Sequence, residues 1–436
     1  MRLKSVCQRV RAYLGCGRAR LSASGLRAQP KNATADSGAG LERRDPRFTS
    51  AAPLAYKNRH LQAVCELAGT RALKTIPWWE PEIGEAERDL VVQVLESNFV
   101  NDGDVTTRFE RRVVELLGCR HAVGVTNCTS AIFLALVAAG VGPGDEVIVP
   151  DATFIATANA VSMAGAKAVL VDIAPETLTM SPAAFADAIT PRTKAVVPVH
   201  VSGRSADLDA IMAIAAANNI TVVEDAAEAF LSRRQGCALG TFGAMGCLSF
   251  SPMKLITTGQ GGMVITDDDA LHLRLRQLKD QGRPIRGTGG DDPHPIVGYN
   301  FKLTNLQAAL GLGQLETLDK RMDHVRRMYA AYRDGLEGLN AVTVLPFDID
   351  DGALPLWVDV IVERCAELVP FLRERGIDCR PYWHPIHTQP SYLLPDERFP
   401  VATEMMPKAV WLPSAFSVSE ADVARVCRTI REFLAD

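Results

Sequence analysis

Residues 146–173 read EVIVPDATFIATANAVSMAGAKAVLVDI: a β-branched run, a segment with a helical apolar stripe closing on Gly165, and a second β-branched run. Two strand-like runs joined by a helix-length crossover are the mark of parallel pairing, because a tight hairpin returns a strand only in the opposite direction. The same unit extends both ways along the chain. Strand-like runs stand at 121-HAVGVT, 194-KAVVPVHV, 220-ITVVEDA, 246-GCLSFS and 262-GMVIT, with helix-like segments at 129-TSAIFLALVAAG, 182-PAAFADAI and 207-DLDAIMAIAAANN. This alternation predicts a large α/β domain with a mainly parallel mixed sheet over residues 75–315. Beyond 304-TNLQAALGLGQLETLDKRMDHVRRMYAAYRDGL, read as one long helix or two, short strands mix with amphipathic helices ending in 419-SEADVARVCRTIREFL. That predicts a smaller α+β domain over 316–436. Residues 1–74 read as a separate basic extension, disordered apart from a short helix from His60 to Leu73.

Composition then limits the function. The 436 residues are 47% hydrophobic and 22% charged, an ordinary globular balance, and no apolar run approaches the roughly 20 residues that cross a bilayer. Membrane insertion is not expected. Ten scattered cysteines contain no C-x-x-C pair, so neither a disulfide framework nor a zinc site is indicated, and a reducing, cytoplasmic setting is expected. His384 and His387 are three apart, but Pro385 between them reads as a loop, and no metal is expected. Residues 1–40 hold eight Lys or Arg against Asp36 alone, which leaves −11 on the remainder of a chain of net charge −4. An acidic body lacks the clustered cations that grip phosphate backbones, so no nucleic-acid partner is expected. The basic extension has the composition of an organelle transit peptide; a disordered extension, or an upstream stretch read from a different start, is the preferred reading.

Four features of the body carry chemistry. Lys254, in 249-SFSPMKLITTGQGGMVIT, lies between two strand-like runs among Pro252, Met253, Leu255 and Ile256, apolar surroundings that favour the neutral amine imine chemistry uses. Alone it reads as a surface lysine. Asp225 ends the apolar run 220-ITVVEDA, pointing toward the crevice where α/β ligands bind, and Glu228 follows where a helical turn would begin; their plain alternatives are a turn aspartate and a solvated first-turn acid. The segment 126-TNCTSA opens a helix, so its N–H groups and the hydroxyls of Thr129 and Ser130 can face an anion or simply cap the helix. Ser249 is a further phosphate-side donor, and Phe154 can lie against a flat ring or belong to the core. An amine, a carboxylate for a ring nitrogen, a phosphate cradle and an aromatic face are what pyridoxal phosphate (PLP) requires. The Gly runs 259-GQGG and 287-GTGGDD fit neither dinucleotide nor P-loop patterns and read as flexible turns.

Taken in order, the blocks 76-IPWWEPEIGEAE, 142-GPGDEVIVPDATFIATANAV, 193-TKAVVPVHVSG, 223-VEDAAEA, 249-SFSPMKLITTGQGGM, 298-GYNFKLTNLQAALGLGQLE and 380-RPYWHPIHTQPSY resemble the DegT/StrS family of nucleotide-sugar aminotransferases, PLP enzymes of fold type I. The resemblance implies that Lys254 bears the imine, Asp225 holds the pyridine nitrogen, Phe154 stacks on the ring and Glu228 stands beside it. It further implies that Thr129, Ser130 and Ser249 hold the phosphate, that Asn300 reaches the phosphate of a neighbouring subunit in a homodimer, and that Arg380 and His387 lie near the sugar. The implied reaction moves an amino group from glutamate to a keto-deoxysugar linked to a nucleotide. Two rivals are a sugar dehydratase of the same fold, in which histidine replaces the imine lysine, and a non-catalytic regulator that keeps the fold; Lys254 speaks against the first, and Lys254 with Asp225 against the second. Two departures from the family stand out: Cys128 replaces a frequent Gly, and the basic extension is additional.

Overall fold

A computed structural model describes residues 75–284 and 293–435. The extension, with its expected helix at 60–73, and the 287-GTGGDD run lie outside the described residues. Each apolar run of the first half becomes a strand: β1 (His121–Val125), β2 (Glu146–Pro150), β3 (Lys167–Val171), β4 (Thr193–Val196) and β5 (Thr221–Asp225), then a small hairpin of β6 (Arg233–Arg234) and β7 (Cys237–Ala238), then β8 (Met245–Ser249) and β9 (Gly262–Thr266). The seven long strands form one sheet in the order β1-β9-β8-β5-β4-β2-β3. Its pairs are parallel from β3 to β8. β9 runs antiparallel to both β8 and β1. The reason is local: no helix forms between β8 and β9, and a parallel return needs a crossover that usually contains one. β4 is shorter than its apolar run suggests, because Pro198 has no N–H to donate; its carbonyl instead accepts from the Asp225 N–H at 2.9 Å.

Helices cover the sheet: α1 (Glu85–Ser97), α2 (Asp104–Leu117), α3 (Cys128–Ala138), α4 (Ala156–Met163), α5 (Pro182–Asp187), α6 (Leu208–Ala217) and α7 (Asp269–Lys279). The first two lie ahead of the strand–helix alternation and were not anticipated from it. α3 is buried without a break from Ser130 to Leu136, so it is apolar on all sides rather than striped. Truncating Leu134 there should cost about 2–5 kcal/mol, the usual range for a filled core position. The long helical run divides at Thr317 into α8 (Asn305–Glu316) and α9 (Leu318–Leu336).

A second sheet follows, antiparallel throughout: β10 (Val342–Val344), β11 (Val358–Val362), β12 (Arg380–Pro381) and β13 (Ala409–Leu412), in the order β10-β11-β13-β12. Helices α10 (Cys365–Glu374), α11 (Pro400–Met405) and α12 (Glu420–Ala435) complete this part. Asp359 pairs with Trp411, and Trp411 with Arg380, so these three form one cross-strand row on one face. The described residues belong to one compact unit, and one apolar cluster joins the strands of the first sheet to Trp357, Tyr382 and Trp411 of the second part.

Candidate active site

In a parallel sheet the carboxyl ends of the strands share an edge, and the loops leaving them gather there. β1 runs with β8, since β9 opposes both. The shared edge therefore receives Thr126–Ser130 after β1, Asp151–Phe154 after β2, His200–Ser202 after β4, Asp225–Glu228 after β5 and the loop from Ser249 to Lys254 after β8.

Lys254 is not set in purely apolar surroundings. Its Nζ donates to Glu228 Oε1 at 3.2 Å, with side-chain exposures of 11% and 7%, and lies 4.8 Å from the centre of the Trp357 ring. The loop carrying it is pinned by Trp79, whose indole N–H donates to the Pro252 carbonyl at 2.8 Å. Glu228 reaches Lys254 from a turn rather than from the helical start the sequence suggested. Its second oxygen accepts from the Ser202 N–H at 2.8 Å.

Asp225 is 5% exposed. Thr157 Oγ1 donates to its Oδ2 at 2.8 Å and the Ala227 N–H to its Oδ1 at 3.1 Å. Burial pushes this carboxyl upward, while Thr157 and Ala227 hold it down and nearby Lys254 contributes less. Among the described residues no cationic side chain forms an ion pair with it, so a buried acid is left with neutral donors only. Burial, and then the Asp225 charge, also raise the neighbouring Cys128 and Cys247 thiols well above their usual range. Phe154, three residues before Thr157, is 52% exposed and stands 6.4 Å from the Trp383 ring.

At the start of α3, Asn127 is the cap: its side chain accepts from the Ser130 N–H at 2.8 Å. The N–H groups of Cys128 and Thr129 remain as first-turn donors without intrahelical acceptors. Ser130 is buried and accepts a bond from the Thr126 hydroxyl at 3.2 Å, so of the two expected hydroxyls Thr129 is the more accessible. Room for close approach comes from Gly262, inside β9, where an added Cβ would lie 2.4 Å from the Asn127 carbonyl. That glycine is therefore a packing requirement and not part of a flexible turn. Ser249 is buried at the end of β8, its hydroxyl 3.4 Å from the Ser251 N–H.

The remaining expected residues divide. Arg380 joins the site: its Nη1 contacts Met253 Sδ at 3.2 Å and its guanidinium lies 5.0 Å from the Trp78 ring. Desolvation lowers it, opposed by Glu228. Asn300 is exposed and accepts from Lys302 Nζ at 2.9 Å. His387 is fully buried; its backbone N–H and Nδ1 engage the two oxygens of Asp151 at 2.7 and 2.6 Å, and its Nε2 faces Asp396 at 3.3 Å. With both ring nitrogens committed, it clamps the end of β2 instead of facing a sugar. His384 is exposed, so the two histidines do not converge, and among the described residues no group of three His, Cys, Asp or Glu could hold a metal ion. Ser202, Thr157 and Trp357 were missed by sequence reasoning; only the Ser–Gly pair in 200-HVSGR hinted at a sharp corner.

Among the described residues Asp225 has no ion-pair partner, and a protonated pyridine nitrogen would give it one. The free N–H groups opening α3 suit a phosphate, and the Lys254 amine suits an aldehyde. These are the complementary parts of PLP, which puts the chain among the PLP-dependent enzymes of fold type I. Comparison with known proteins narrows that class. The chain belongs to the DegT/DnrJ/EryC1/StrS aminotransferase family, whose profile matches residues 81–431. It is 37% identical over 369 residues to the GDP-perosamine synthase of Caulobacter vibrioides, covering 81% of this chain and 97% of that one. It is 36% identical to the GDP-perosamine synthase of Escherichia coli O157:H7, covering 84% and 100%. The crystal structure of DesI in the presence of its TDP-sugar product superposes with a TM-score of 0.76 at 30% identity, over 85% of this chain and 96% of that one. The protein is a PLP-dependent aminotransferase.

Proposed function

We propose that this aminotransferase moves an amino group from glutamate to a keto-deoxysugar carried on a nucleotide, within amino-sugar biosynthesis. The observation that carries the reading is Lys254 paired with Glu228 near the buried Asp225, which no cationic side chain among the described residues pairs with directly, in a chain so similar to two GDP-perosamine synthases. PLP, when bound, supplies an aldehyde for primary amines and a ring that withdraws electrons from the carbon beside the nitrogen. Asp225 would hold the ring nitrogen protonated. Thr129, Ser130, Ser249 and the first N–H groups of α3 would hold the phosphate, and Phe154 would cover the ring. Glu228 can take up the proton that the Lys254 amine sheds and return it. The neutral Lys254 amine then moves a proton at the donor's α-carbon. Arg380 offers its guanidinium to the substrate side.

The same reading divides the chain at about residue 315: residues 75–315 supply the strand ends that hold the cofactor, and residues 316–436 bring Trp357, Arg380 and Trp411 over them. It also makes the working unit a homodimer in which Asn300 of the partner subunit completes the phosphate site. Supporting this, Asn300 is exposed, and so are the large apolar side chains of Leu95, Phe99 and Val100. The Asn305 side chain, at the start of α8, donates to the Phe99 carbonyl at 3.0 Å and so holds that segment against α8. The seven described cysteines are free, and no helix among the described residues is long and apolar enough to cross a membrane; both fit a cytoplasmic enzyme. A lysine at position 254 disfavours the dehydratase alternative.

The test is to incubate PLP-loaded protein with glutamate and a panel of keto-deoxysugar nucleotides, following 2-oxoglutarate and the aminated sugar. Catalytic release of both with at least one sugar is expected. Release of 2-oxoglutarate limited to one equivalent per site across the panel would remove sugar nucleotides as acceptors.

A further inference from the structure

The corner after β4 is built unlike the rest of the sheet edge. Ser202 has φ 56° and ψ 14°, the left-handed region that a residue with a Cβ rarely occupies. Gly203 follows with φ +95°, its hydrogen so close to the Leu354 carbonyl that an added Cβ would lie 2.0 Å from that oxygen. Such a conformation persists only where its surroundings impose it. Here they do: the fully buried Ser202 hydroxyl donates to Asp359 Oδ1 at 2.7 Å and accepts from the Trp411 indole N–H at 3.0 Å. Asp359 is in turn held by Arg204 at 2.8 Å, both side chains buried.

The strained corner serves two neighbours of the same amine. Its N–H donates to Glu228 Oε2 at 2.8 Å, which turns Oε1 toward Lys254. Its C=O accepts from the Leu356 N–H at 2.9 Å, which fixes the strand entering β11 one residue before Trp357, the ring 4.8 Å from Lys254 Nζ. We propose that Ser202 is a positioning residue that sets both partners of the Lys254 amine, Glu228 and Trp357, and that its hydroxyl ties their placement to the second sheet through Asp359 and Trp411. Ser202 touches no reacting atom. It acts by holding a carboxylate and an aromatic face in register across two separately formed sheets, a placement neither sheet provides alone.

This inference rests on the assignment of Lys254 as the lysine that binds PLP, and the experiment separates the two. Ser202→Ala keeps the backbone donor and acceptor and removes the tie to Asp359 and Trp411; Asp359→Asn weakens the tie from the other end. Val360→Ala, in the buried core of β11, is the control for simple loss of stability. In Ser202→Ala the pH midpoint of the bound cofactor's absorbance change should fall by about one unit, because Glu228 no longer faces the amine at fixed distance. Its kcat should drop by about tenfold while KM for glutamate stays within about twofold. The double variant Ser202→Ala with Asp359→Asn should lose little more than Ser202→Ala alone, as expected for two groups acting through one contact. Val360→Ala should lose melting temperature without moving the midpoint. A Ser202→Ala protein with the parental midpoint and kcat, or a shift that Val360→Ala reproduces at equal loss of melting temperature, overturns the proposal. Failure of borohydride to fix PLP at Lys254 in the parent protein instead removes the assignment beneath it.

Discussion

Asp225 pays for its position in the cofactor-free protein, since burial raises it against the Thr157 hydroxyl, the Ala227 N–H and, more weakly, the Lys254 charge. Asp225→Asn keeps the volume and removes the charge, so it should lower turnover by about 10²-fold or more while the cofactor-free protein melts no lower than the parent. A cofactor-free variant much less stable than the parent would show that the carboxylate is structural. Lys254→Ala should retain PLP without a covalent bond; mass spectrometry after borohydride should find no adduct, and full labelling of the variant would contradict the role of Lys254. At this scale the placement of Lys254 and Asp225 at the strand ends was readable, because one short segment carries both residue and context. Thr157, Ser202 and Trp357 were not readable, because each meets its partner from a distant segment. His387, expected near the sugar, is instead a buried clamp on Asp151, a role not readable because burial is set by the fold around it.

At the scale of elements, the β9–α3 contact and the β1–α7 corner each make a test. Gly262→Ala would drive a methyl into the Asn127 carbonyl, displacing the start of α3. PLP should then dissociate at least about tenfold more readily, equivalent to about 1.4 kcal/mol, as measured by cofactor titration. On α7, burial, and then Arg276 and His121, lower His272 from 6.5 to about 4. Its folded value lies below its unfolded one, so the unfolded chain binds the extra proton first. The stabilising contribution is complete above about pH 6.5 and disappears as pH falls toward 4. Melting temperature should therefore drop between pH 7 and pH 4.5, and His272→Gln should flatten that slope; a slope identical in the variant would assign the loss to other groups. Strand positions were legible because apolar β-branched runs are local signals. The direction of β9 was not, since it depends on a loop with no helix, and neither was the break at Thr317 within a continuous helical pattern.

For the whole molecule, Leu95, Phe99 and Val100 are large apolar side chains left exposed close together in the chain, which makes them the residues on which the proposed subunit contact is tested. If the proposed homodimer forms through these residues, Phe99→Asp should lower the mass seen in sedimentation and weaken PLP retention, the proposed contribution of Asn300 of the partner subunit being lost; unchanged mass and cofactor content would count against an interface at Phe99. The fold class was legible from the alternation of patterns. The sheet order was not, because it is fixed by which strands pair at long range, and the way one aromatic cluster knits both sheets together depends on residues spread from Trp78 to Trp411.

That cluster has an optical consequence. All five tryptophans of the chain, Trp78, Trp79, Trp357, Trp383 and Trp411, belong to one connected set of ring contacts, the longest of them 6.4 Å, and one of them faces Lys254 directly. The protein's entire indole emission thus originates at the active site, where the absorbing cofactor can accept it by resonance energy transfer. Loss of that emission as PLP is added, and its return when the cofactor is stripped, should report occupancy of the site without a label.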